Sequence, residues 1–188
     1  TVFPTTATGT VTFFDGATVL GTGTLNAGTA TLSTSTLSVS GSPHSITATL
    51  AGSGIYGSST SSPISQTITP ATLTYTANPA SRIYGAANPA FSGTVTGFVA
   101  PDTQLTATTG TLSFTSTATT TSNVGSYAIT GSGLTANNGN YTFVQAVGNT
   151  TALTITPATP VVTWAAPADI TYGTALSATC LLYTSDAA

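Results

Sequence analysis

Few side chains in this chain could support acid–base chemistry. His44 is the only histidine, and the four acidic residues are Asp15, Asp102, Asp169 and Asp186. A hydrolytic triad needs a nucleophile, a base and an orienting acid in one place, and no nucleophile motif stands out among the many Ser and Thr residues. We therefore predict no catalytic residue. We expect His44 to be a strand-edge residue of the segment HSITATL and Asp15 to be a turn residue.

Metal and cross-link chemistry has no better support. Ca²⁺ takes about 6–8 oxygen ligands, usually with several carboxylates close together, whereas the four Asp residues are scattered along the chain. One His and one Cys are too few for a zinc site, and an isopeptide bond would need a Lys amine that the chain lacks. The spacing leaves open a carboxylate pair for glycoside cleavage, although no motif favours it. We predict no metal and no cofactor.

Three aromatic residues are the candidates for stacking on sugars. Tyr84 and Tyr172 are each followed by a glycine, and Trp164 is the only tryptophan. The alternative, which we favour, is that each Tyr packs beside a turn whose Gly supplies a positive φ angle. A Tyr repeated at equivalent positions is more typical of fold architecture than of a binding site.

Alternating threonines raise another hypothesis, binding to ice through a flat Thr array. Thr-x-Thr patterns occur at Thr10/Thr12, Thr22/Thr24 and Thr74/Thr76. We favour the β-propensity of Thr on a solvent-facing strand side as their cause, because the positions do not form one evenly stacked ladder. Two Asn-x-Thr glycosylation sequons, at residues 140–142 and 149–151, are expected to be fortuitous in a bacterial chain.

Composition narrows the fold and the partners. Only 3% of residues are Asp, Glu, Lys or Arg, against roughly 25% in ordinary soluble domains, which disfavours long solvated helices. Ser/Thr/Gly-rich chains can be disordered, but apolar residues alternate regularly here between turn signals, which favours strands. A net charge of −3 with a single Arg argues against nucleic acid. No apolar run approaches the ~20 residues of a membrane span, so we expect no membrane insertion.

Turn signals place the strands. Asp15-Gly16 separates two alternating runs, which predicts a hairpin with a type I′ turn, and a second turn is predicted at residues 26–28. One helical turn is expected near residues 102–105. The segments 141–147 and 151–156, separated by Gly148-Asn149, are predicted to form a hairpin. Further strands are predicted at HSITATL, ISQTIT, TLTYTA and residues 91–96, 111–115 and 126–130.

The five residues ITPAT occur twice, at residues 68–72 and 155–159. Each copy ends an alternating strand at a Pro, which lacks a donor N–H and terminates pairing. The offset of 87 (155 − 68) nearly equals the offset of 88 (172 − 84) between the two Tyr-Gly pairs, which indicates an internal repeat. We predict an all-β chain of tandem small β-sandwich, Ig-like domains with no long helix.

Two segments resemble known families. Residues 9–68 carry a GTVTFFDG hairpin, an LGTGTL strand, HSITA and a tyrosine loop, and this order resembles the bacterial Ig-like repeats of large surface proteins. Such repeats normally begin with one or two strands before GTVTF, where only TVFPTTAT precedes it here, and often have an acidic residue in place of Ser53. Residues 71–158 carry SRIYGAANPAFSGTVTGF, GSYAIT, GLTANNGNYTF and LTITPA, and are similar to MBG-type repeats of bacterial secreted proteins.

The predicted domains follow from these patterns. Residues 1–69 are expected to be an N-terminally truncated Ig-like repeat, residues 70–158 an MBG-type repeat, and residues 159–179 the start of a further repeat. Residues 180–188, CLLYTSDAA, resemble translated sequencing adapter and are predicted to be an artefactual tail.

The resemblance implies a non-catalytic structural or adhesive region of an extracellular or cell-surface bacterial protein, acting as a spacer or stalk. Its expected partners are neighbouring repeats of the same chain and surface glycans or proteins. The alternative is a carbohydrate-binding accessory module of a secreted enzyme, whose glycan binding would be lost on Tyr84→Ala or Trp164→Ala. A hydrolase would require an activity that His44→Ala abolishes, and we expect no such activity.

Overall fold

The computed structural model describes residue 2 and residues 5–52, 55–163, 168–175 and 184–186. Strands dominate this part of the chain, its one α-helix, α1 (Gln104–Ala107), is a single turn, and two short 3₁₀ turns span Asn137–Gly139 and Val147–Thr151. The predicted all-β class without a long helix is confirmed. The strands are β1 (Gly9–Asp15), β2 (Thr18–Leu25), β3 (His44–Leu50), β4 (Ser59–Thr60), β5 (Ile64–Gln66), β6 (Ala71–Ala77), β7 (Ala80–Ile83), β8 (Gly93–Thr96), β9 (Thr108–Thr115), β10 (Gly125–Tyr127), β11 (Thr130–Ala136), β12 (Tyr141–Gln145), β13 (Leu153–Thr156), β14 (Val161–Thr163) and β15 (Thr184–Asp186).

The chain divides into two compact units. The first unit comprises Thr1–Thr74, Val95–Thr111 and Gly133–Val144, and the second comprises Tyr75–Thr94, Leu112–Ser132 and Gln145–Ala188. The domain boundaries expected from the sequence therefore stay a prediction, because the compact units follow a different division.

The first unit contains an antiparallel sheet in the order β2-β1-β3-β4, in which β5 also pairs with β3. The predicted β1–β2 hairpin is present, but its two-residue loop is Gly16-Ala17, because Asp15 pairs with Thr18. Gly16 has φ +57°, and a Gly at the first loop position is typical of a type II′ turn rather than the predicted type I′. Asp15 thus stays in the strand, where its carboxylate contacts β3.

The turn predicted at residues 26–28 is confirmed. Asn26 and Thr29 form an isolated antiparallel bridge, and both residues between them have positive φ, +47° at Ala27 and +78° at Gly28. Two positive φ angles are the requirement of a type I′ turn.

One face of the first sheet is buried. Ala7, Val11, Leu25 and Leu50 form its core, and the segment after the 26–28 turn covers the same face where β2 lacks side chains. A Cβ placed on Gly21 would lie 2.9 Å from Leu32 Cδ1. This glycine therefore permits a close approach that a larger residue would block.

The helical turn expected at residues 102–105 is confirmed two residues later, as α1. Thr103 Oγ1 accepts from Thr106 N (3.3 Å), and Thr103 N donates to Thr106 Oγ1 (2.9 Å). These reciprocal bonds are a capping box, which satisfies amides that the short helix leaves unpaired. Ala107 at its end is buried with Leu73 and Tyr141 in a second apolar cluster of the first unit.

The second unit contains a three-stranded sheet in the order β10-β13-β7, with β13 antiparallel to β10 and parallel to β7. Leu153 and Ile155 of β13 and the nearby Ile129 are almost fully buried. Two further sheets, β11-β9 and β12-β6-β8, contain strands whose residues are divided between the two units. Residues 161–163 and 184–186 form the two-stranded β14–β15 pair.

The predicted hairpin of residues 141–147 and 151–156 is wrong. β12 pairs with β6, whereas β13 lies between β10 and β7 in another sheet. The 3₁₀ turn Val147–Thr151 connects them, and its Asn149 side chain is buried against the backbone of β6. Gly148-Asn149 does not form a hairpin loop because the Asn149 side chain is buried in the interior, where it bonds to the backbone of β6.

Candidate functional site

The only imidazole of the chain lies at the start of β3 in the first unit. His44 is 7% exposed, with Nδ1 2.6 Å from Asp15 Oδ2 and Nε2 2.7 Å from the Ser38 carbonyl oxygen. His44 is the first residue of β3 and pairs only with Gln66 of β5, since the pairing of β3 with β1 starts at Ile46; this fits the expected position at the edge of the strand. The expected turn role of Asp15 is replaced by a strand position at which its carboxylate holds this ring.

The two partners of His44 fix its protonation. Both are acceptors, so each ring nitrogen must carry a proton to satisfy them. The Ser38 carbonyl, and after it the Asp15 carboxylate, raise the pKa of His44 above its ordinary value. In a catalytic His–Asp pair the second nitrogen faces a nucleophile, whereas here it faces a backbone carbonyl. The arrangement ties β1, β3 and the segment at Ser38 together.

The only arginine is buried in the second unit. Arg82 is 7% exposed, and its Nε donates to Asn88 Oδ1 (2.7 Å), its Nη1 to the Ile83 carbonyl (3.2 Å) and its Nη2 to the Thr119 carbonyl. Asn88 Nδ2 donates to the Ala118 carbonyl (2.6 Å). All of these acceptors are neutral oxygens, and the planar guanidinium fork suits such a fixed set of acceptors. The side chain fastens the segment around residues 118–119 to β7.

A buried amide completes the backbone pairing of β6 in the second unit. Asn149 is 3% exposed, and its Oδ1 accepts from Ala77 N (2.8 Å) while its Nδ2 donates to the Tyr75 carbonyl (2.9 Å). The same Nδ2 donates to Gln145 Oε1 (2.9 Å). The side chain therefore acts as one more strand residue beside β6.

Gln145 extends this network in the same way. Its Oε1 accepts from Gly131 N (2.9 Å), and its Nε2 donates to the Gly131 carbonyl (2.7 Å). Gly131 also lies close to the β6 tyrosine, because a Cβ placed there would be 2.7 Å from Tyr75 Cβ. The roles of Arg82, Gln145 and Asn149 were not predicted from the sequence. The available signal was the presence of single polar residues among apolar, β-rich segments.

Asp102 is likewise engaged, in the first unit. The Tyr141 hydroxyl donates to Asp102 Oδ2 (2.7 Å) and accepts from Val99 N (3.1 Å). Burial, and after it the hydrogen bond to Asp102, raise the pKa of Tyr141 above its ordinary value. The Asp102 carboxylate therefore anchors a core tyrosine, whereas the Asp15 carboxylate binds His44.

The described part of the chain holds neither an unsatisfied buried polar side chain nor a metal-type cluster of ligands. Every buried side-chain nitrogen or oxygen there has a hydrogen-bond partner, and no group of three or more His, Cys, Asp or Glu residues lies together among these residues. Asp169 is exposed, and the side chain of Asp186 lies outside the description. Among the described helices, none has the length and apolar character to cross a bilayer.

Two segments of the chain match the models of known domain families. Residues 1–69 match the model of the bacterial Ig-like domain (group 3), and residues 73–151 match that of the MBG domain (YGX type). Along the chain, the segment similar to a bacterial Ig-like domain is followed by the segment similar to an MBG domain. This tandem order, predicted from the sequence, is confirmed. Both repeat types are typical of surface or secreted bacterial proteins. No curated protein and no solved structure matches the chain.

The Tyr-Gly pair of the MBG repeat recurs after it. Tyr84 is 40% exposed and Tyr172 is fully exposed, while Trp164 lies outside the described residues. Gly85 and Gly173 have φ angles of +84° and +89°, so the glycine turn expected at both pairs is present, but the expected packing of the Tyr beside its turn is wrong for the fully exposed Tyr172. The structure gives no contact that joins the two tyrosines within its described part.

The two sequons are occupied by structural bonds. Asn149 of the MBG repeat holds β6, and Asn140 Oδ1 accepts from Val39 N at 2.9 Å in the first unit. A glycan on Asn149 would have to displace bonds of a side chain that is almost fully buried. The fold itself therefore accounts for the asparagine at both positions.

Proposed function

We propose that this chain is a non-catalytic structural and adhesive repeat region of a bacterial secreted or cell-surface protein, acting as a spacer or stalk. The proposal includes the boundaries predicted from the sequence, with an Ig-like repeat to residue 69, an MBG repeat over residues 70–158 and a further repeat beginning at residue 159. Neighbouring repeats of the same chain are its first partners. Surface glycans or proteins are the partners of its adhesive role.

One observation carries the proposal: His44, Asp15, Asp102 and Arg82 are engaged with other side chains or with backbone. His44 is held on both ring nitrogens, and Arg82 is held by three neutral oxygens. A catalytic site needs a reactive group aimed at a place where substrate can bind. Such groups are instead used to fix loops and strands, which suits a module whose task is to stay folded.

The proposal is tested by displaying the full chain on bacteria between a membrane anchor and a terminal epitope tag. Folded repeats should hold the tag beyond the surface polysaccharide, so antibody-coated beads should bind more cells than with the anchor and tag alone. The matched control is Val11→Asp/Leu153→Asp, which places a charge at a buried position of each unit and should collapse this gain. Equal bead binding by wild type, the unfolded variant and the anchor alone would sink the spacer role.

A second candidate function is a carbohydrate-binding accessory module, and the exposure of Tyr172 favours it. Tyr84, at the equivalent turn, is also accessible. On a glycan array, Tyr84→Ala, Tyr172→Ala and Trp164→Ala should each weaken binding, whereas Tyr172→Phe should retain it, since stacking uses the ring. If wild type binds no glycan on the array, this candidate is discarded while the spacer role stands.

A further inference from the structure

The sheet of the Ig-like repeat has a second face, opposite the side that carries the buried Val11 cluster. On β1, residues alternate between the buried Val11 side and a side that carries threonine, and the same alternation continues on the neighbouring strands. We call this side the threonine face. It carries Thr10, Thr12, Thr22, Thr24, Thr47, Thr49 and Thr60, and Phe14 and Val19, which pair next to Thr47, lie at its end near the β1–β2 loop.

Strand pairing brings these threonines into register. Thr10 lies opposite Thr24, and Thr12 lies opposite Thr22 on β2. On its other side Thr12 lies opposite Thr49. The three Thr-x-Thr patterns do not form one ladder, as expected, because Thr74 and Thr76 lie on β6 in another sheet; the other two patterns are nevertheless aligned by the hairpin register.

The alignment continues to a fourth strand. Thr49 lies opposite Thr60 on β4, and their hydroxyl oxygens are 3.0 Å apart, so both side chains point to the same face. One row of four threonines thus runs across β2, β1, β3 and β4. A second, shorter row is formed by Thr10 and Thr24.

The threonine face is open and uncharged. Its threonines on β2 and β4 are exposed, and Thr12 and Thr49 on the inner strands are half-buried by their neighbours. The nearest ionic pair, Asp15 and His44, is tied together by its own hydrogen bond, and Asp15 alternates onto the opposite face with Val11. The threonine rows offer methyl and hydroxyl groups and no formal charge, and Phe14 and Val19 border them with apolar side chains.

The spacing of such a face suits ordered water. Neighbouring strands lie about 4.8 Å apart, and residues i and i+2 lie about 6.7 Å apart along a strand. Tetrahedral water joined by hydrogen bonds of about 2.75 Å has second neighbours about 4.5 Å apart. A row of hydroxyls across four strands can therefore bind waters at close to the separation they have in ice.

We propose that the threonine face of the Ig-like repeat adsorbs to ice. Neighbouring strands are twisted by about 20–25°, so the hydroxyl spacing matches the spacing of water in ice only near the middle of the sheet. Adsorption to ice therefore depends on several weak contacts made together. Each hydroxyl contributes little to ice binding by itself, but the loss of two hydroxyls should reduce ice binding measurably. The inference goes beyond the spacer role, which does not depend on it.

The test is ice-affinity partitioning of the full chain into a slowly growing ice sphere. Wild type should be enriched in the ice fraction, and Thr22→Lys/Thr24→Lys should lower that enrichment about tenfold, the loss expected for two hydrogen-bonding groups. Ser33→Lys/Ser35→Lys is the matched control, because it adds the same charge at exposed positions of the same unit. The control should partition as wild type does.

Thermal melts decide whether each variant is folded. If the lysine variant melts below the control, Thr22→Val/Thr24→Val replaces it, since this pair keeps a branched strand side chain and removes only the hydroxyl, and it too should lose enrichment. Exclusion of wild type from ice would overturn the proposal. Equal enrichment of the face variant and the control would overturn it as well, as would retention on insoluble chitin or cellulose with none in ice.

Discussion

Replacing Asn149 by alanine should destabilise the second unit more than any exposed asparagine does. The side chain is 3% exposed and holds the backbone of β6 at two points, Ala77 N and the Tyr75 carbonyl. Its loss leaves these two backbone groups in different situations. The Tyr75 carbonyl keeps a bond from Ala146 N at 2.8 Å, whereas the buried Ala77 amide loses its Asn149 acceptor.

The magnitude follows from this difference. An orphaned buried donor costs about 1–3 kcal/mol, and each lost bond whose partner stays satisfied costs about 0.5–1.5 kcal/mol. For Asn149→Ala we therefore expect a loss of roughly 2–4 kcal/mol in the free energy of unfolding. Asn78→Ala is the matched control, because Asn78 is exposed and bonds only to Ser92. It should cost less than about 0.5 kcal/mol.

The assay is urea unfolding followed by circular dichroism, with amide hydrogen exchange as the local readout. Protection of the Ala77 amide should fall about 30-fold or more in Asn149→Ala, the factor that corresponds to roughly 2 kcal/mol. Protection in the first-unit sheet should not change. The reasoning is refuted if Asn149→Ala and Asn78→Ala have the same unfolding free energy, or if the Ala77 amide keeps its protection.

Three further predictions concern single residues. Arg82→Met should lower the free energy of unfolding in urea by about 3 kcal/mol, because three oxygen acceptors lose their donors. Arg82→Lys should not restore this stability, since an ammonium group cannot reproduce the guanidinium fork. Full stability of the lysine variant would contradict this expectation. Because the folded-state pKa of His44 is raised, its stabilising contribution is complete below about pH 6.5 and is lost as pH rises through the folded-state pKa. The melting temperature of the first unit should fall over that range, and an unchanged pH profile in His44→Gln would disprove the link. Gly131→Ala should cost about 1–3 kcal/mol of stability by overpacking against Tyr75. Gly148→Ala, whose added Cβ has nothing within 4 Å, should melt as wild type does. The same melting temperature for both variants would count against the close approach of Gly131 to Tyr75.

The all-β class was predictable because it depends on local chemistry. Alternation, β-branched residues and glycine turns specify strands directly, and the scarcity of charge removes long helices. Strand partners were less predictable. The β12–β13 hairpin failed because the sequence Gly148-Asn149 is equally suited to a turn and to a buried amide, and only long-range packing against β6 decides between them. The Gly16-Ala17 loop shifted by one residue because the Asp15 carboxylate is bound to His44, which is 29 positions away.

The candidate site was predictable mainly in what it lacks. One His, one Arg and four Asp can form few reactive groups, and on that ground the sequence predicts no catalytic residue, which stays a prediction. The positions of those residues could not be read from spacing. Whether His44 faces a nucleophile or the Ser38 carbonyl is set by how a loop folds back on a sheet. The alignment of Thr12 with Thr22 and Thr49 likewise depends on register, which the sequence pattern left unresolved.

The central claim is that these repeats hold a distal element away from the cell. The most direct measurement is the height of a fluorescent terminal tag above a membrane dye on bacteria that display one, two or three consecutive copies of residues 1–158. The account predicts that the tag height rises with each added copy and that Val11→Asp/Leu153→Asp in every copy abolishes the rise. A height that does not change with copy number, or that is the same for folded and unfolded copies, would contradict it.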